Sequence, residues 1–211
     1  MLNEKKGKFI VFEGLDGSGK TLQMLKTASF LFDNYKKYEI LCAKEPTYMT
    51  KSGKLIRKKL AHDKDPKKQG RLFRALYVKD RAEHNKKIIL PTLKYGCIVL
   101  CDRYSHSTFA YQQAQGDVSF QEVLNEHKKY KIRRPDLTLI FDVPAIVAIQ
   151  RIQKGRQKNE LFEKTLFLEE VRHNYLKLKK FLPKDNIVII NGDAPVEEIF
   201  AKVQKEVEKI I

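Results

Sequence analysis

Apolar positions along the 211-residue chain fall into two regimes. Five short runs are apolar on mostly consecutive positions and rich in β-branched or aromatic side chains: Lys8 to Phe12, Glu39 to Ala43, Cys97 to Cys101, Leu137 to Phe141 and Ile187 to Ile190. A strand with two apolar faces belongs in a sheet covered on both sides, which is the habit of parallel sheets. Between these runs the apolar residues recur at helical spacing, over Gly19 to Phe32, Gly53 to Ala61, Gln69 to Leu93, Phe120 to Lys129, Ala145 to Gln153, Glu163 to Phe181 and Val196 to Ile211. Strands alternating with helices predict an α/β fold: a five-stranded parallel sheet flanked by helices in three layers. No internal repeat or low-complexity linker interrupts the pattern, so residues 1–211 are expected to form one domain. The stretch Lys154 to Asn159 is a polar insertion between helices.

Composition narrows the class. The length is ample for a sizeable core, and 42% hydrophobic with 32% charged residues suits a soluble protein. No apolar run approaches the roughly 20 residues that span a bilayer, so no membrane association is expected. Met1 to Lys8 is polar and is not followed by an apolar stretch ending at a small-residue cleavage site, which favours a cytoplasmic location over secretion. Cys42, Cys97 and Cys101 read as reduced cysteines packed as small hydrophobes rather than metal ligands. The formal charge of +16 is spread from end to end without a basic tail or an aromatic-basic repeat. That pattern predicts a solvated lysine-rich surface that attracts small anions, not a nucleic-acid partner.

The first strand runs into Gly14-Leu15-Asp16-Gly17-Ser18-Gly19-Lys20-Thr21, which matches Gly-x-x-x-x-Gly-Lys-Thr and opens a helix. Strand, loop and helix are the context that a P-loop requires. Gly14, Gly17 and Gly19 let backbone N–H groups close on phosphates, and Lys20 places a charge between the β- and γ-phosphates of ATP. Thr21 offers its hydroxyl to Mg²⁺. The third predicted strand delivers Asp102 and Arg103 to the carboxyl edge, where open α/β sheets bind ligands. Asp102 can hold the water shell of Mg²⁺, and Arg103 can grip a phosphate bidentately.

Further pieces follow in order: Phe12 to Thr21, Lys44-Glu45-Pro46-Thr47, Gly53-Lys54-Leu55-Ile56-Arg57, Asp80-Arg81-Ala82-Glu83-His84, Asp102-Arg103-Tyr104 with Ser107-Thr108 and Ala110-Tyr111-Gln112, and Arg134 to Leu139 with Asp142-Val143. In this order and spacing the chain resembles the thymidylate kinases over nearly its whole length. The resemblance implies the P-loop NTPase fold with a short lid at about 151–162, and transfer of the γ-phosphoryl group of MgATP to dTMP. It also implies roles. Asp16 receives the deoxyribose 3′-hydroxyl. Tyr77 stacks on the pyrimidine and Arg81, four residues on and therefore on the same helix face, donates to its carbonyl edge. Leu60 packs on the base, although a helix-core position explains it equally well. Ser107, Thr108 and Gln112 reach the polar edge of thymine, Tyr111 crowds out a ribose 2′-hydroxyl, and Arg103 holds the acceptor phosphate. Glu45 lies in the loop beside that phosphate. Lys44 stands where the family usually has Arg, so a phosphate role and a plain strand-end turn remain alternatives.

The lid departs from the family pattern. Some thymidylate kinases carry a catalytic Arg inside the P-loop at the position of Gly17, and others supply it from the lid. Gly17 therefore points to the lid cations Arg151, Lys154, Arg156 and Lys158, because Leu161 stands where many relatives have Arg. Arg156 is expected to act on the transferred group and Arg151, at the lid base, to contact the donor nucleotide. Asn191 to Ala194 falls where the family holds adenine through backbone, and Asp193 reads as a helix-capping residue before Pro195. Alternatives are another pyrimidine acceptor, disfavoured by Tyr77, Arg81 and Tyr111, and a nucleic-acid-stimulated NTPase, which would need no base pocket opposite its P-loop. Family resemblance further suggests a homodimer through the Gln69 to Leu93 helix.

Overall fold

The computed structural model describes residues 6–62, 70–116, 119–152 and 158–211; the side chains of residues 62 and 158–164 are not among those described. Five parallel strands, β1 (Lys8–Gly14), β2 (Ile40–Lys44), β3 (Ile98–Asp102), β4 (Leu137–Asp142) and β5 (Ile187–Asn191), lie in the order β2-β3-β1-β4-β5. Every predicted run is a strand, and each strand extends one or two residues beyond the run at its carboxyl end. The added residues, Gly14, Lys44, Asp102, Asp142 and Asn191 among them, are polar or glycine, where an apolar pattern stops. Backbone pairing does not depend on side-chain polarity, so the ladder carries them to the sheet edge, with Phe12 and Lys44 both in register with Asp102.

The helices are α1 (Lys20–Asn34), α2 (Lys51–His62), α3 (Gly70–His84), α4 (Leu90–Lys94), α5 (Ser105–Ala114), α6 (Phe120–Lys129), α7 (Ala145–Ile152), α8 (Lys158–Phe181) and α9 (Val196–Glu208). The helix expected over Gln69 to Leu93 is interrupted: a π-turn at Asn85–Ile89 joins α3 to α4, and Gln69 lies outside the described residues. The Asn85 side chain in that turn accepts from Tyr104 Oη (3.3 Å) and from the Arg133 amide (3.2 Å), tying the helix to the start of α5. α5 has no counterpart in the sequence reading. Its residues show no apolar stripe because Ser105, His106, Thr108, Phe109, Ala110 and Gln112 are all buried, between α8, α3 and α6. α6 opens on a capping box in which Ser119 and Glu122 satisfy each other's backbone N–H groups.

Alternate strand residues feed opposite faces. Ile10, Phe12, Ile98, Leu100, Leu139 and Phe141 pack with Leu31 of α1 and with Ile199, Val203 and Val207 of α9. Phe9, Val11, Val99 and Cys101 face the other way, against Ile89 and Tyr104, while Ile140 meets Ala110 of α5 and Val171, Tyr175 and Leu178 of α8. These side chains are 0–5% exposed, and each Val, Leu, Ile and Phe among them contributes about 1.5–3 kcal/mol by leaving water. The three layers are those expected. Of the cysteines, Cys101 is buried, Cys97 half-buried and Cys42, on edge strand β2, exposed, so Cys42 is not the core residue its apolar run suggested. No described helix is long and apolar enough to cross a membrane.

Candidate active site

β1 hands the chain to the loop before α1, and the loop's shape depends on glycine. Gly17 lies at φ +85°, and a Cβ there would stand 2.3 Å from the Ala148 carbonyl oxygen of α7. Gly14, at φ +141°, is also pressed on the Phe141 carbonyl, 2.7 Å from where a Cβ would be. Leu15 anchors the loop in the core at 1% exposure. Lys20 folds back over it: Nζ donates to the Leu15 carbonyl (3.1 Å) and to Asp16 Oδ1 (3.2 Å). Burial, reinforced by the Arg103 charge and opposed by Asp16 and Asp102, brings the Lys20 pKa down to about 8. Thr21 donates its hydroxyl to Asp102 Oδ2. Lys44 Nζ lies 3.3 Å from the same oxygen, so the last residue of β2 covers the Thr21–Asp102 pair. Asp102 itself is fully buried, and its Oδ1 has no hydrogen-bond partner among the described residues.

Arg103 occupies the centre. Its backbone is held at φ +70°, a region that costs an L-residue roughly 1–2 kcal/mol, and its N–H donates to the Phe12 carbonyl at 2.9 Å. The guanidinium donates through Nη2 to Asp16 Oδ1 (2.7 Å) and Tyr111 Oη (3.4 Å), and through Nη1 to Ser107 Oγ (3.1 Å) and Tyr175 Oη (3.2 Å). Burial disfavours the Arg103 charge, but Tyr111, Tyr175, Asp16 and Glu13 outweigh it and keep the group protonated. Arg103 in turn, against partial burial and with help from Lys20, holds the Asp16 carboxyl well below the usual carboxylate range.

Glu13 is a residue that the sequence reading missed. It is fully buried on β1; Oε1 accepts from the Tyr104 and Ser107 amides (2.8 and 3.0 Å), and Oε2 from Ser107 Oγ (2.6 Å) and Tyr175 Oη (3.0 Å). It thus caps the first turn of α5 with negative charge and orients the two hydroxyls that receive Arg103. A carboxylate directly after the apolar run of the first strand was the available signal. Ser107, expected at the base edge, has its hydroxyl in this group instead.

The residues expected around the base come together on α3 and α5. Tyr77 is half-buried beside the Phe73 ring, and burial pushes its pKa up to about 12, with Arg103, Tyr111, Arg81 and Asp16 all close enough to act on it. Arg81 is 1% exposed. Nε donates to Glu45 Oε2 (2.8 Å), Nη1 to Thr108 Oγ1 (2.9 Å) and His127 Nε2 (3.0 Å), and Nη2 to the Tyr104 carbonyl (2.9 Å). Four of its five N–H groups are thereby engaged. Glu45 is equally buried, and its other oxygen meets His84 Nδ1 at 3.0 Å. Gln112 lies alongside at 3% exposure, with Oε1 unpartnered among the described residues. Leu60 is 48% exposed on α2, so the helix-core account of it does not hold.

Near the carboxyl end of α7, Arg151 donates to the Gly192 carbonyl (3.0 Å) and to Asp193 Oδ1 (2.7 Å), with the Gly17 carbonyl at 3.5 Å. Asp193 therefore anchors Arg151. It does not cap α9, whose N-cap is Pro195 without a side-chain bond. Arg156 and Lys154 lie outside the described residues, as do the side chains of Lys158 and Leu161. Among the described residues no group of three His, Cys, Asp or Glu side chains could hold a metal by itself.

The family model for thymidylate kinase matches residues 12–203. A probable thymidylate kinase of Pyrococcus horikoshii is 41% identical over 203 residues, covering 94% of each chain. A thymidylate kinase of a Geobacillus species is 36% identical over 93% of each chain. One of Nitrosomonas eutropha is 36% identical over 97% of this chain and 94% of the relative.

Proposed function

Because the chain belongs to the thymidylate kinase family, transferring the γ-phosphoryl group of ATP to dTMP to give dTDP and ADP in dTTP synthesis, we propose that donor and acceptor phosphates meet between Lys20 and Arg103, beside Asp16. One observation carries this reading: Asp16 Oδ1 accepts from Lys20 at 3.2 Å and from Arg103 at 2.7 Å, so the P-loop cation and the strand-end cation flank a single anionic position. A donor phosphate on Lys20 and an acceptor phosphate on Arg103 would have their mutual repulsion offset by these two cations and their reacting atoms brought together. The acceptor phosphate is already a nucleophile, so no general base is needed.

Gly14 to Thr21 would cradle the ATP phosphates, and Arg151 would brace the donor side. The dTMP phosphate would engage Arg103, its 3′-hydroxyl Asp16, and its base the pocket of Tyr77, Arg81, Thr108, Gln112 and Tyr111, with Leu60 at the rim. Ser107 and Glu45 would act through Arg103 and Arg81 respectively. The Thr21 hydroxyl against Asp102, with Oδ1 of that carboxylate unpartnered, suits Mg²⁺, directly or through water; when bound, the ion would neutralise charge on the phosphate oxygens. Arg156 of the lid would supply the remaining positive charge over the transferred group.

We also propose a single domain over 1–211, a cytoplasmic location, no nucleic-acid or membrane partner, and a homodimer through the α3–α4 helix, on which Leu72 and Leu90 are exposed. A coupled ADP-release assay against dTMP, dUMP, UMP, CMP and AMP tests the acceptor site. Turnover is expected with dTMP and its loss, by about 10²-fold or more, in Arg103→Ala; a variant that retains dTMP turnover within a few-fold overturns the assignment.

A further inference from the structure

Arg81 can donate hydrogen bonds but cannot accept them. Its Nη1 lies 3.0 Å from His127 Nε2, so that nitrogen must present a lone pair and the ring proton must sit on Nδ1. An imidazolium, or the opposite tautomer, would set N–H against N–H. The surroundings enforce the neutral ring. His127 is 7% exposed on α6; burial first, then the charge of Arg81 on α3 and the presence of His106 on α5, drive its pKa well below the ordinary histidine value. From α5 it also meets the Phe109 ring, 5.3 Å away. On its own helix the Val123 carbonyl favours a proton on the ring, although Nδ1 makes no well-formed hydrogen bond.

We infer that His127 is a positioning residue for acceptor recognition: its neutral imidazole, through Nε2, fixes the rotation of the Arg81 guanidinium beneath the acceptor pocket. The neighbouring partners share this task, because the guanidinium is planar and each bond it makes bears on its rotation. Glu45 grips Nε and the Tyr104 carbonyl grips Nη2, but Nη1 is shared between Thr108 and His127. Thr108 is itself expected to face the base, and a hydroxyl can turn. The ring, 7% exposed and set against Phe109, has far less room to turn. His127 therefore leaves the Thr108 hydroxyl free to donate to a base carbonyl while Nη1 stays in place. No resemblance singled out this residue, and it lies on a helix that otherwise contributes nothing to the site.

The inference rests on the reading that Arg81 serves the acceptor pocket, and the experiment separates the two. Steady-state kinetics at constant pH would compare the wild type with Arg81→Ala, His127→Leu and His127→Gln, the last keeping an acceptor oxygen near the Nε2 position. In His127→Leu the KM for dTMP is expected to rise about ten-fold, the worth of one buried hydrogen bond. Its kcat and its KM for ATP should stay within about three-fold, and His127→Gln should recover most of the loss. A dTMP KM within two-fold of wild type in His127→Leu, or a Gln variant as impaired as the Leu variant, overturns the inference. If Arg81→Ala also leaves the dTMP KM unchanged, the acceptor-pocket reading falls instead. Should the Leu variant not fold, ¹⁵N NMR of the wild-type imidazole decides: a neutral ring protonated on Nδ1 is expected at pH 6, and an Nε2–H or imidazolium signal there overturns the assignment.

Discussion

At the residue scale the site is a set of cations held by carboxylates, Glu45 and Glu13 buried and Asp16 exposed. Arg81 is fixed by Glu45, and Arg103 by Asp16 and, through two hydroxyls, by Glu13. Glu13→Gln keeps the shape but removes the charge, so Ser107 and Tyr175 must reorient. Its kcat/KM for dTMP should fall roughly ten-fold or more by misplacing Arg103, measurable in the coupled assay with thermal melts confirming the fold. Lys20 offers a pH signature. Its pKa in the free protein is about 8, and phosphate oxygens beside Nζ must raise it. ATP binding should therefore take up a proton between pH 8 and 9, and affinity should weaken as pH rises through that window. Calorimetry in buffers of different ionisation enthalpy reads this directly, and equal heats across buffers would refute it. Lys20, Thr21, Asp102 and Arg103 were legible because the P-loop motif and a strand end announce them. Glu13 and His127 were not, since each touches the site only through another side chain; Glu13 stands within the stretch Phe12 to Thr21, but nothing in that stretch gives it a role, and His127 belongs to no short motif.

At the scale of elements, α7 closes on the P-loop, and this explains Gly17. A side chain at that position would need a left-handed backbone and would overlap the Ala148 carbonyl. Gly17→Arg, which copies the P-loop arginine of some relatives, is accordingly expected to abolish ATP binding rather than to substitute for a lid cation. Arg156→Ala should lower kcat by roughly 10²–10³-fold, the effect of one transition-state donor; a loss of only a few-fold would place the cation elsewhere. The sequence also told the helices unevenly. Amphipathic α1 and α9 were plain, whereas α5, which carries two of Arg103's partners and residues expected to face the base, was invisible as an element. Its polar residues are buried by the site itself, so it has no water-facing side to generate a stripe.

At the scale of the whole molecule, +16 net charge surrounds a site that binds two anions. Such a field should steer dTMP and ATP together, and screening shortens its reach to about 8–10 Å at physiological salt. The KM values for both substrates are expected to rise several-fold between low and high ionic strength, with kcat little changed; KM values independent of salt would show the surface lysines to be inert in capture. The sequence by itself determined the α/β class, all five strands, the P-loop and the family, because apolar periodicity and contiguous motifs are local properties. Only the tertiary structure decided that Asp16 bridges Lys20 and Arg103, that Arg81 is committed to Glu45, Thr108, Tyr104 and His127, and that Asp193 pairs with Arg151 instead of capping a helix. Those pairings join residues up to 87 positions apart, and they follow from which strand ends and helix faces the fold brings to one edge of the sheet.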